Sequence, residues 1–453
     1  MESPEAPHTT PHQQTVATDA LWRRTAPATA HLPALQGALT ADVAIIGGGY
    51  SGLSAALHLA EAGFETALIE AHEPGAGASG RNAAGWLPTY LDQTPSAVER
   101  RLGVARGQAL NRMVAESARL VPRIVARHSL AVDLKPSGIF VGSGRPAQAA
   151  AARALAREWM GCGGNVHVVD TSRSAQITGT DRFSHGLVFA DGGTLNPLAY
   201  ARGLAAAAVT AGARLFCGEA ATGADQTTRG WRVRTSSGHV DARHILIATE
   251  GHDVSPHLWP GLSSGCYRLP MAVITSEPVP DLLARLMPAG QPIADTNKAN
   301  PFWMMADRDC RLVLSLLPPR ENSASLDTVA RPLNRKLGRL HPGLPAIPWS
   351  HYWMGTVAVS AERIPCLRPL AEGAYAIGGY SGQGIGAATA AGQEFARLIA
   401  SGGDERACRL PLLPLKPVPF RHALPWAYRQ ILSPLGRWAD GSYRRIPASL
   451  PHS

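Results

Sequence analysis

Residues 42–70 constrain the fold of this chain more than any other stretch of the sequence. An apolar, β-branched run at 43–46 predicts a short buried parallel strand. A glycine-rich turn follows, and an Ala- and Leu-rich segment at 53–62 predicts a helix. A second strand is expected at 66–69, with Glu70 at its end. The order strand, glycine turn, helix, strand and acid predicts a dinucleotide-binding unit of the Rossmann type.

Each glycine of the G-x-G-x-x-G turn has a separate physical task. Gly47 permits the tight turn, Gly49 lets a pyrophosphate approach the backbone, and Gly52 lets the helix pack closely on the strand. The N–H groups and the positive dipole end of the helix attract phosphate. Glu70 stands at the spacing at which an acid accepts hydrogen bonds from an adenosine ribose. These four residues are therefore candidate cofactor ligands.

A loop of small residues follows the acid directly. Residues 75–86 read GAGASGRNAAGW, in which Arg81 and Asn82 are the only strongly polar side chains. Small residues allow the backbone to approach a flat ligand closely. Because the loop follows the ribose acid, we expect it to face the cofactor.

Composition excludes several classes of protein. The chain has 453 residues and a formal charge of +9, but its basic residues are spread along the sequence, so no nucleic-acid partner is expected. The six cysteines form no C-x-x-C pair, which argues against a metal site and suits a reducing compartment, the cytoplasm. No apolar run reaches the roughly 20 residues that span a bilayer, so no transmembrane segment is expected.

The second half of the chain has a different pattern of apolar and polar residues. Strand-like pieces between 267 and 349 are separated by prolines and polar turns, which predicts an antiparallel sheet. A buried strand at 375–377 then leads into a second glycine-rich turn at 378–386 and an Ala-rich helix. The predicted fold class is α/β, with a Rossmann-type cofactor domain and a second, substrate domain built on the antiparallel sheet.

The expected domains are discontinuous. The cofactor domain is placed at 40–110, 165–265 and 350–405, and the substrate domain at 111–164 and 266–349. Residues 1–39 are expected to form an arm with little regular structure, in which Trp22 is a candidate docking residue. Residues 406–453 form a tail, and its Leu-, Trp- and Tyr-containing segment at 424–438 either docks as a helix or lies on a membrane surface.

Four motifs together resemble one family. They are GGGYSGLSAALHLAEAGF at 47–64, GASGRNAAGW at 77–86, LNPLAYARGLA at 195–205 and GGYSGQGIG at 378–386. In this order they resemble the flavin-dependent amine and amino-acid oxidoreductases of the D-amino-acid oxidase superfamily, and within it the gamma-glutamylputrescine oxidase type. The resemblance extends over nearly the whole chain.

The resemblance implies FAD bound between the two domains. The implied cofactor contacts are Gly47, Gly49, Gly52, Thr249 and Gly251 near the pyrophosphate, Glu70 and Ala221 at the adenosine, Ser79, Gly80, Arg81 and Asn82 beside the flavin, and Gly379, Ser381, Gly382 and Gly384 at its pyrimidine edge. A helix start at that edge stabilises the negative charge of reduced flavin.

The chain departs from the family pattern at several positions. Gln383 stands where His is usual, Ala83 and Ala84 where the family has Gly-Gly, and Glu362 where it has Asp. Some relatives tether the flavin through a Cys that would fall close to Gly355. No Cys stands there, so non-covalent FAD is expected.

The implied reaction is removal of two electrons from a C–H next to nitrogen, with hydride transfer to the flavin and hydrolysis of the imine product. The substrate is a small amine, and oxygen or another acceptor reoxidises the flavin. Gln383, Trp353 and Trp303 are the candidate catalytic residues, and Arg81 is a candidate for binding a substrate carboxylate. Three alternatives stay open: an RNA-modifying FAD oxidoreductase, a nicotinamide-dependent dehydrogenase and a non-catalytic flavin-fold protein.

Overall fold

A computed structural model describes residues 20–29, 31–250, 258–297, 302–318 and 325–435 of the protein. The helices in these ranges are α1 Leu21–Thr25, α2 Tyr50–Glu61, α3 Pro95–Leu102, α4 Val104–Arg127, α5 Ala149–Gly161, α6 Thr171–Thr178, α7 Pro197–Thr210, α8 Pro280–Leu286, α9 Leu326–Leu340, α10 Gly384–Ala400 and α11 Leu424–Ala427. Short 3₁₀ turns lie at Ala78–Gly80, Pro146–Gln148 and Leu262–Gly265, and a π-helical turn at Tyr428–Leu432.

The strands in the same ranges are β1 Gly37–Ile46, β2 Thr66–Glu70, β3 Gly85–Trp86, β4 Ile139–Ser143, β5 Val166–Asp170, β6 His185–Phe189, β7 Gly193–Thr194, β8 Arg214–Cys217, β9 Gly223–Thr227, β10 Gly230–Arg234, β11 Gly238–Ile247, β12 Cys266–Pro278, β13 Ile293–Asp295, β14 Trp303–Ala306, β15 Arg311–Leu316, β16 Trp349–Ser360, β17 Cys366–Ala371 and β18 Ala374–Gly378.

The first sheet has the order β17-β18-β11-β1-β2-β8, and β9 and β10 extend it from β11. The strands β18, β11, β1, β2 and β8 are parallel, and β17 pairs antiparallel with β18. Along β1, Val43 and Ile45 face a core that includes α2, α4, α7 and α10, whereas Ala44 and Ile46 face a second cluster on the opposite side. Both faces of the central strand are therefore buried, as its continuous apolar run predicts.

The second sheet has the order β16-β12-β15-β14-β13-β4-β6-β5. Its pairs are antiparallel except for β13 with β4. Helices α8 and α9 supply apolar side chains to the core beneath it. The predicted fold class, a Rossmann-type unit with a second unit built on an antiparallel sheet, is confirmed.

Some segments belong to a different sheet from the one the predicted domain boundaries imply. Strands β5 and β6 fall within 165–265, assigned to the cofactor domain, but pair with β4 in the second sheet. Strand β16, assigned mostly to the cofactor domain, pairs with β12 in the second sheet. Helix α4, assigned mostly to the substrate domain, packs on α10: a Cβ at Gly386 would lie 2.7 Å from Ser117 Oγ. Strand and helix partners are long-range contacts, which local sequence patterns do not report.

Within the described part of the expected N-terminal arm, two segments have regular structure. Residues Leu21–Thr25 form α1, and β1 begins at Gly37 rather than near Thr40. The Trp22 side chain is buried, 2% exposed. Burial of this large indole supplies the docking energy that a five-residue helix cannot obtain from its own hydrogen bonds.

The C-terminal segment docks through part of its surface. Tyr428 packs against a cluster of Leu269, Leu317 and Val359. Trp426 remains 56% exposed and Ile431 51% exposed. Contact with a membrane surface stays a prediction, and residues 436–438 lie outside the described ranges. No helix in the described part of the chain is long and apolar enough to cross a bilayer.

The close contact of α2 with β1 gives a test of the packing. A Cβ added to Gly52 would lie 2.0 Å from Gly47 O and 3.3 Å from Ile45 Cγ2. We expect Gly52→Ala to lower the free energy of unfolding by about 3 kcal/mol, because backbone must shift to admit the methyl group. Chemical denaturation monitored by circular dichroism measures the change.

Gly338→Ala is the matched control. Gly338 lies inside α9, and a Cβ there would meet nothing within 4 Å. We expect this variant to gain about 0.5–1 kcal/mol from the better helix propensity of alanine. Equal stability of the two variants would contradict the close-packing role of Gly52.

Candidate cofactor site

The turn between β1 and α2 has the geometry of an anion site. Gly47 has a φ of 111°, and a Cβ there would lie 2.9 Å from both Ala248 O and Thr249 Cγ2. Gly49 precedes α2 and has no side chain with which to cap it. Thr249 Oγ1 is buried and makes no hydrogen bond within the described ranges. A polar ligand at this turn would meet a helix start and this hydroxyl.

Glu70 lies against the same turn, at the end of β2. Its Oε2 accepts a hydrogen bond from Gly48 N at 2.6 Å, and its Oε1 accepts one from His72 N at 3.0 Å. A carboxylate has about four acceptor positions, so both oxygens can accept further bonds from hydroxyl groups. The structure therefore brings the predicted ribose acid to the predicted phosphate turn.

The small-residue loop packs against the start of α2. Ser79 Oγ accepts a hydrogen bond from Tyr50 N at 3.1 Å. Asn82 Nδ2 donates to Ser79 O at 2.8 Å and to the Tyr50 hydroxyl at 3.2 Å. A Cβ at Gly80 would lie 2.4 Å from Gly75 O. Sequence reasoning missed Tyr50, whose hydroxyl lies 3.0 Å from Pro197 O and joins three segments.

Arg81 is the cation of this loop. Burial, together with the charge of nearby Arg23, lowers the pKa of its guanidinium. It forms no ion pair with any part of the chain that the structure describes. A Cβ added to Gly355 would lie 3.8 Å from Arg81 Cβ. Position 355 thus lies beside the loop. Cys366, the nearby thiol, is fully buried in β17.

The second glycine turn forms the other side of the site. Gly379 and Gly382 have φ angles of 93° and 97°, and Ser381, with a φ of 48°, is buried. Gln383 precedes α10, and its side chain does not cap the helix. A Cβ at Gly384 would meet nothing within 4 Å, so space is open at the first residue of α10.

Helices α2 and α10 are in close contact, and Tyr380 of the second glycine turn reaches the start of α2. Ser51 Oγ is 2.6 Å from the Tyr380 hydroxyl, and Ser54 Oγ donates to Thr389 O at 2.7 Å. A Cβ at Gly392 would lie 2.5 Å from Ser51 O. The first turn of α2 therefore packs on the middle of α10. Neither helix has a capping side chain at its start, where negative charge is favoured.

Of the two remaining predicted cofactor positions, the structure describes only Ala221. Ala221 lies in the chain between β8 and β9 and is partly buried against the cluster that contains Ile46 and Ile69. Gly251 lies outside the described residues.

The candidate catalytic residues lie around the loop. Trp353 is fully buried and donates its indole N–H to Arg81 O at 2.8 Å. Trp303 is half-buried and donates to Ala83 O at 2.8 Å. Gln383 is half-buried at the start of α10. Their catalytic roles stay predictions.

Sequence reasoning did not foresee a buried cluster of charges beneath the second turn. Glu250 accepts a hydrogen bond from Gly379 N, and burial raises the pKa of its carboxyl although Arg368 acts against this. Arg368 Nη2 donates to Glu362 Oε2 at 2.9 Å, and both side chains are about 5% exposed or less. Arg368 Nε and Glu362 Oε1 are buried without a hydrogen bond among the described residues. One guanidinium therefore compensates two buried acids.

Removing this guanidinium tests the cluster. We expect Arg368→Leu to lower the free energy of unfolding by about 3–5 kcal/mol, because it leaves two buried acids without a counter-charge. The double variant with Glu362→Leu should recover part of the loss. Urea denaturation at constant pH measures both.

Arg232→Leu provides the control for a general loss of charge. Arg232 pairs with Asp241 at 2.7 Å, but the two side chains are 44% and 39% exposed. Its removal should cost less than about 1 kcal/mol. A similar small loss for Arg368→Leu would show that the buried cluster contributes little.

Comparison with known proteins identifies the family. The FAD dependent oxidoreductase (DAO) family matches residues 42–398. Gamma-glutamylputrescine oxidoreductase of Escherichia coli K12 is 30% identical over 85% of this chain and 89% of its own length. The probable oxidoreductase OrdL of Rhizobium meliloti is 28% identical over 82% of this chain and 86% of its own.

A solved structure agrees on the fold. L-proline dehydrogenase of P. horikoshii superposes with a TM-score of 0.69 at 16% identity, over 83% of this chain and 98% of its own. The family match includes both sheets and the second glycine turn, so a nicotinamide enzyme built on the Rossmann unit alone is not favoured. An RNA-modifying enzyme and a non-catalytic flavin-fold protein are also not favoured. The chain belongs to the family of FAD-dependent oxidoreductases.

Proposed function

We propose that this FAD-dependent oxidoreductase oxidises a C–N bond of a small amine or an amino-acid derivative. The observation that carries the proposal is the close packing of α2 on α10, two helices that each follow a glycine turn, with the loop that contains Arg81 between the two sheets. The E. coli relative is named for gamma-glutamylputrescine and the solved structure for L-proline. Both compounds carry a C–H next to nitrogen, the bond that flavin enzymes of this kind oxidise.

We assign the following cofactor contacts, which the placement of the described residues supports. Gly47, Gly49, Gly52 and Thr249 would hold the pyrophosphate, and Glu70 the adenosine ribose. We also assign Ala221 and Gly251 to the cofactor on the family pattern. The uncapped start of α10, with Gly379, Ser381, Gly382 and Gly384, would face the negative edge of the flavin. Bound FAD supplies the two-electron chemistry, and the chain orients the substrate.

The substrate side lies between the loop and the second sheet. Arg81 would bind a carboxylate of the substrate, since its guanidinium forms no ion pair in the described ranges and the nearby Glu73 is paired with Arg23 and Arg202. Gln383 would contact the amine or the flavin edge from the start of α10, with Trp303 and Trp353 bordering the space. Gly355 gives no thiol, so the FAD is held without a covalent bond. The electron acceptor is oxygen or another oxidant, and the free cysteines suit the cytoplasm.

An absorbance spectrum before and after acid precipitation tests the cofactor assignment. We expect a yellow protein with an absorbance band at about 450 nm that moves entirely into the supernatant. An amine panel with peroxide and dye readouts should then give turnover with at least one small amine or N-substituted amino acid. Colour that stays with the precipitate would refute non-covalent binding. A fully loaded protein that oxidises no member of the panel would refute the substrate class.

A substitution at Glu70 tests the ribose assignment. We expect Glu70→Gln to weaken FAD binding about tenfold, because it removes the charge and one acceptor from the hydrogen bonds to the ribose. Fluorescence titration of the apoprotein with FAD measures the affinity. Glu65→Gln is the control, since Glu65 is 71% exposed and pairs only loosely with Arg214. Equal FAD affinities for the two variants would place the ribose elsewhere.

A further inference from the structure

Three tryptophans donate to three successive carbonyls of the flavin-facing loop. Trp353 of β16 donates to Arg81 O at 2.8 Å, and Trp22 of α1 donates to Asn82 O at 2.9 Å. Trp303 of β14 donates to Ala83 O at 2.8 Å. The three donors come from separate parts of the chain, so the loop is held from three directions.

The indoles also pack as one apolar group around the loop. Trp22 and Trp353 are in edge contact, with ring centroids 5.8 Å apart and an interplanar angle of 76°. Trp303 lies so close to Gly85 that a Cβ there would be 2.3 Å from its ring. All three share a cluster with Ala84, which is fully buried. Hydrogen bonds in such an apolar setting hold their geometry better than bonds exposed to water.

The loop needs external partners because its backbone is irregular. Ala84 has a φ of 70°, a left-handed conformation that costs about 1 kcal/mol in a residue other than glycine. Inside the loop, Asn82 Oδ1 accepts from Ala84 N at 2.9 Å. In a trans peptide the N–H points opposite to the C=O, so fixing the Arg81 and Asn82 carbonyls also fixes the N–H directions of Asn82 and Ala83.

Helix α1 is fastened firmly enough to act as a support. Arg23 pairs with Glu73, which also pairs with Arg202 of α7 at 3.0 Å. Asn196 Nδ2 donates to Thr25 Oγ1 at 3.0 Å. The N-terminal helix is therefore tied to α7 and to the segment before the loop, and not to the loop alone.

We propose that Trp22, Trp303 and Trp353 are positioning residues that fix the backbone of loop 79–84 against the flavin, which makes the N-terminal helix part of the cofactor site. The proposal rests on the placement of this loop beside the flavin, as set out under the proposed function. The three indoles act through the loop carbonyls and do not need to touch the substrate.

Trp22→Phe tests the proposal, because it keeps an aromatic ring and removes only the N–H donor. We expect hydrogen–deuterium exchange in the peptide 78–88 to rise about threefold to tenfold in the holoenzyme, and FAD affinity to fall by a similar factor. Trp303→Phe should have the same two effects.

Trp231→Phe is the matched control. Trp231 is also buried and donates its indole N–H to a backbone carbonyl, Glu372 O at 2.9 Å, but in the β10 region of the first sheet. It should lose similar thermal stability without changing exchange in 78–88 or FAD affinity. If Trp22→Phe behaves like this control, the indoles are ordinary core residues and the proposal is wrong.

The test separates this proposal from the proposed function. Exchange in 78–88 can be measured in the apoprotein, so it reports on the tryptophans even if no amine is oxidised. Faster exchange in apo Trp22→Phe with unchanged FAD affinity would show that the loop is held by the indoles but does not face the cofactor, and would overturn the cofactor part of the proposal. Unchanged exchange in both states would overturn it entirely.

Discussion

The contact between Gly52 and the backbone of Gly47 is the constraint on which the rest of the site depends. It sets α2 at a distance from β1 that no side chain would permit. With α2 in this position, its first turn meets Ser79 of the loop and Ser51 meets Tyr380. A shift of α2 by the thickness of one methyl group would therefore move three segments together.

The second sheet contributes support more than ligands. Its strands β14 and β16 contribute Trp303 and Trp353. The indole N–H groups of these residues donate hydrogen bonds to carbonyls of the loop. Met304 of β14 and Phe302, which directly precedes this strand, join the core over α9 instead. Side chains alternate along β14, so neighbouring apolar residues of this strand face the loop and the core in turn.

Much of the Rossmann unit was readable from the sequence because its signals are local. The strand at 43–46, the glycine spacing and Glu70 lie within thirty positions, and their geometry follows from backbone sterics and helix electrostatics. The buried charges were not readable: Glu250 and Arg368 are far apart in sequence, and nothing local marks them as neighbours. The same holds for Trp22, whose partner carbonyl lies 60 positions away. The pairing of β5 and β6 with β4 in the second sheet could likewise be recognised only from the folded sheet.

The order of strands in the first sheet has a consequence for biosynthesis. Strand β1 lies between β2, which follows it closely, and β11, which is made about 200 residues later. Helix α2 meets α10 through Ser54 and Thr389, which are 335 positions apart. During translation the apolar face of α2 therefore stays exposed until α10, its packing partner, has been synthesised and has left the ribosome. A nascent chain of this kind presents hydrophobic surface for tens of seconds at ordinary translation rates of about 5–20 residues per second, which makes it a natural client for chaperones.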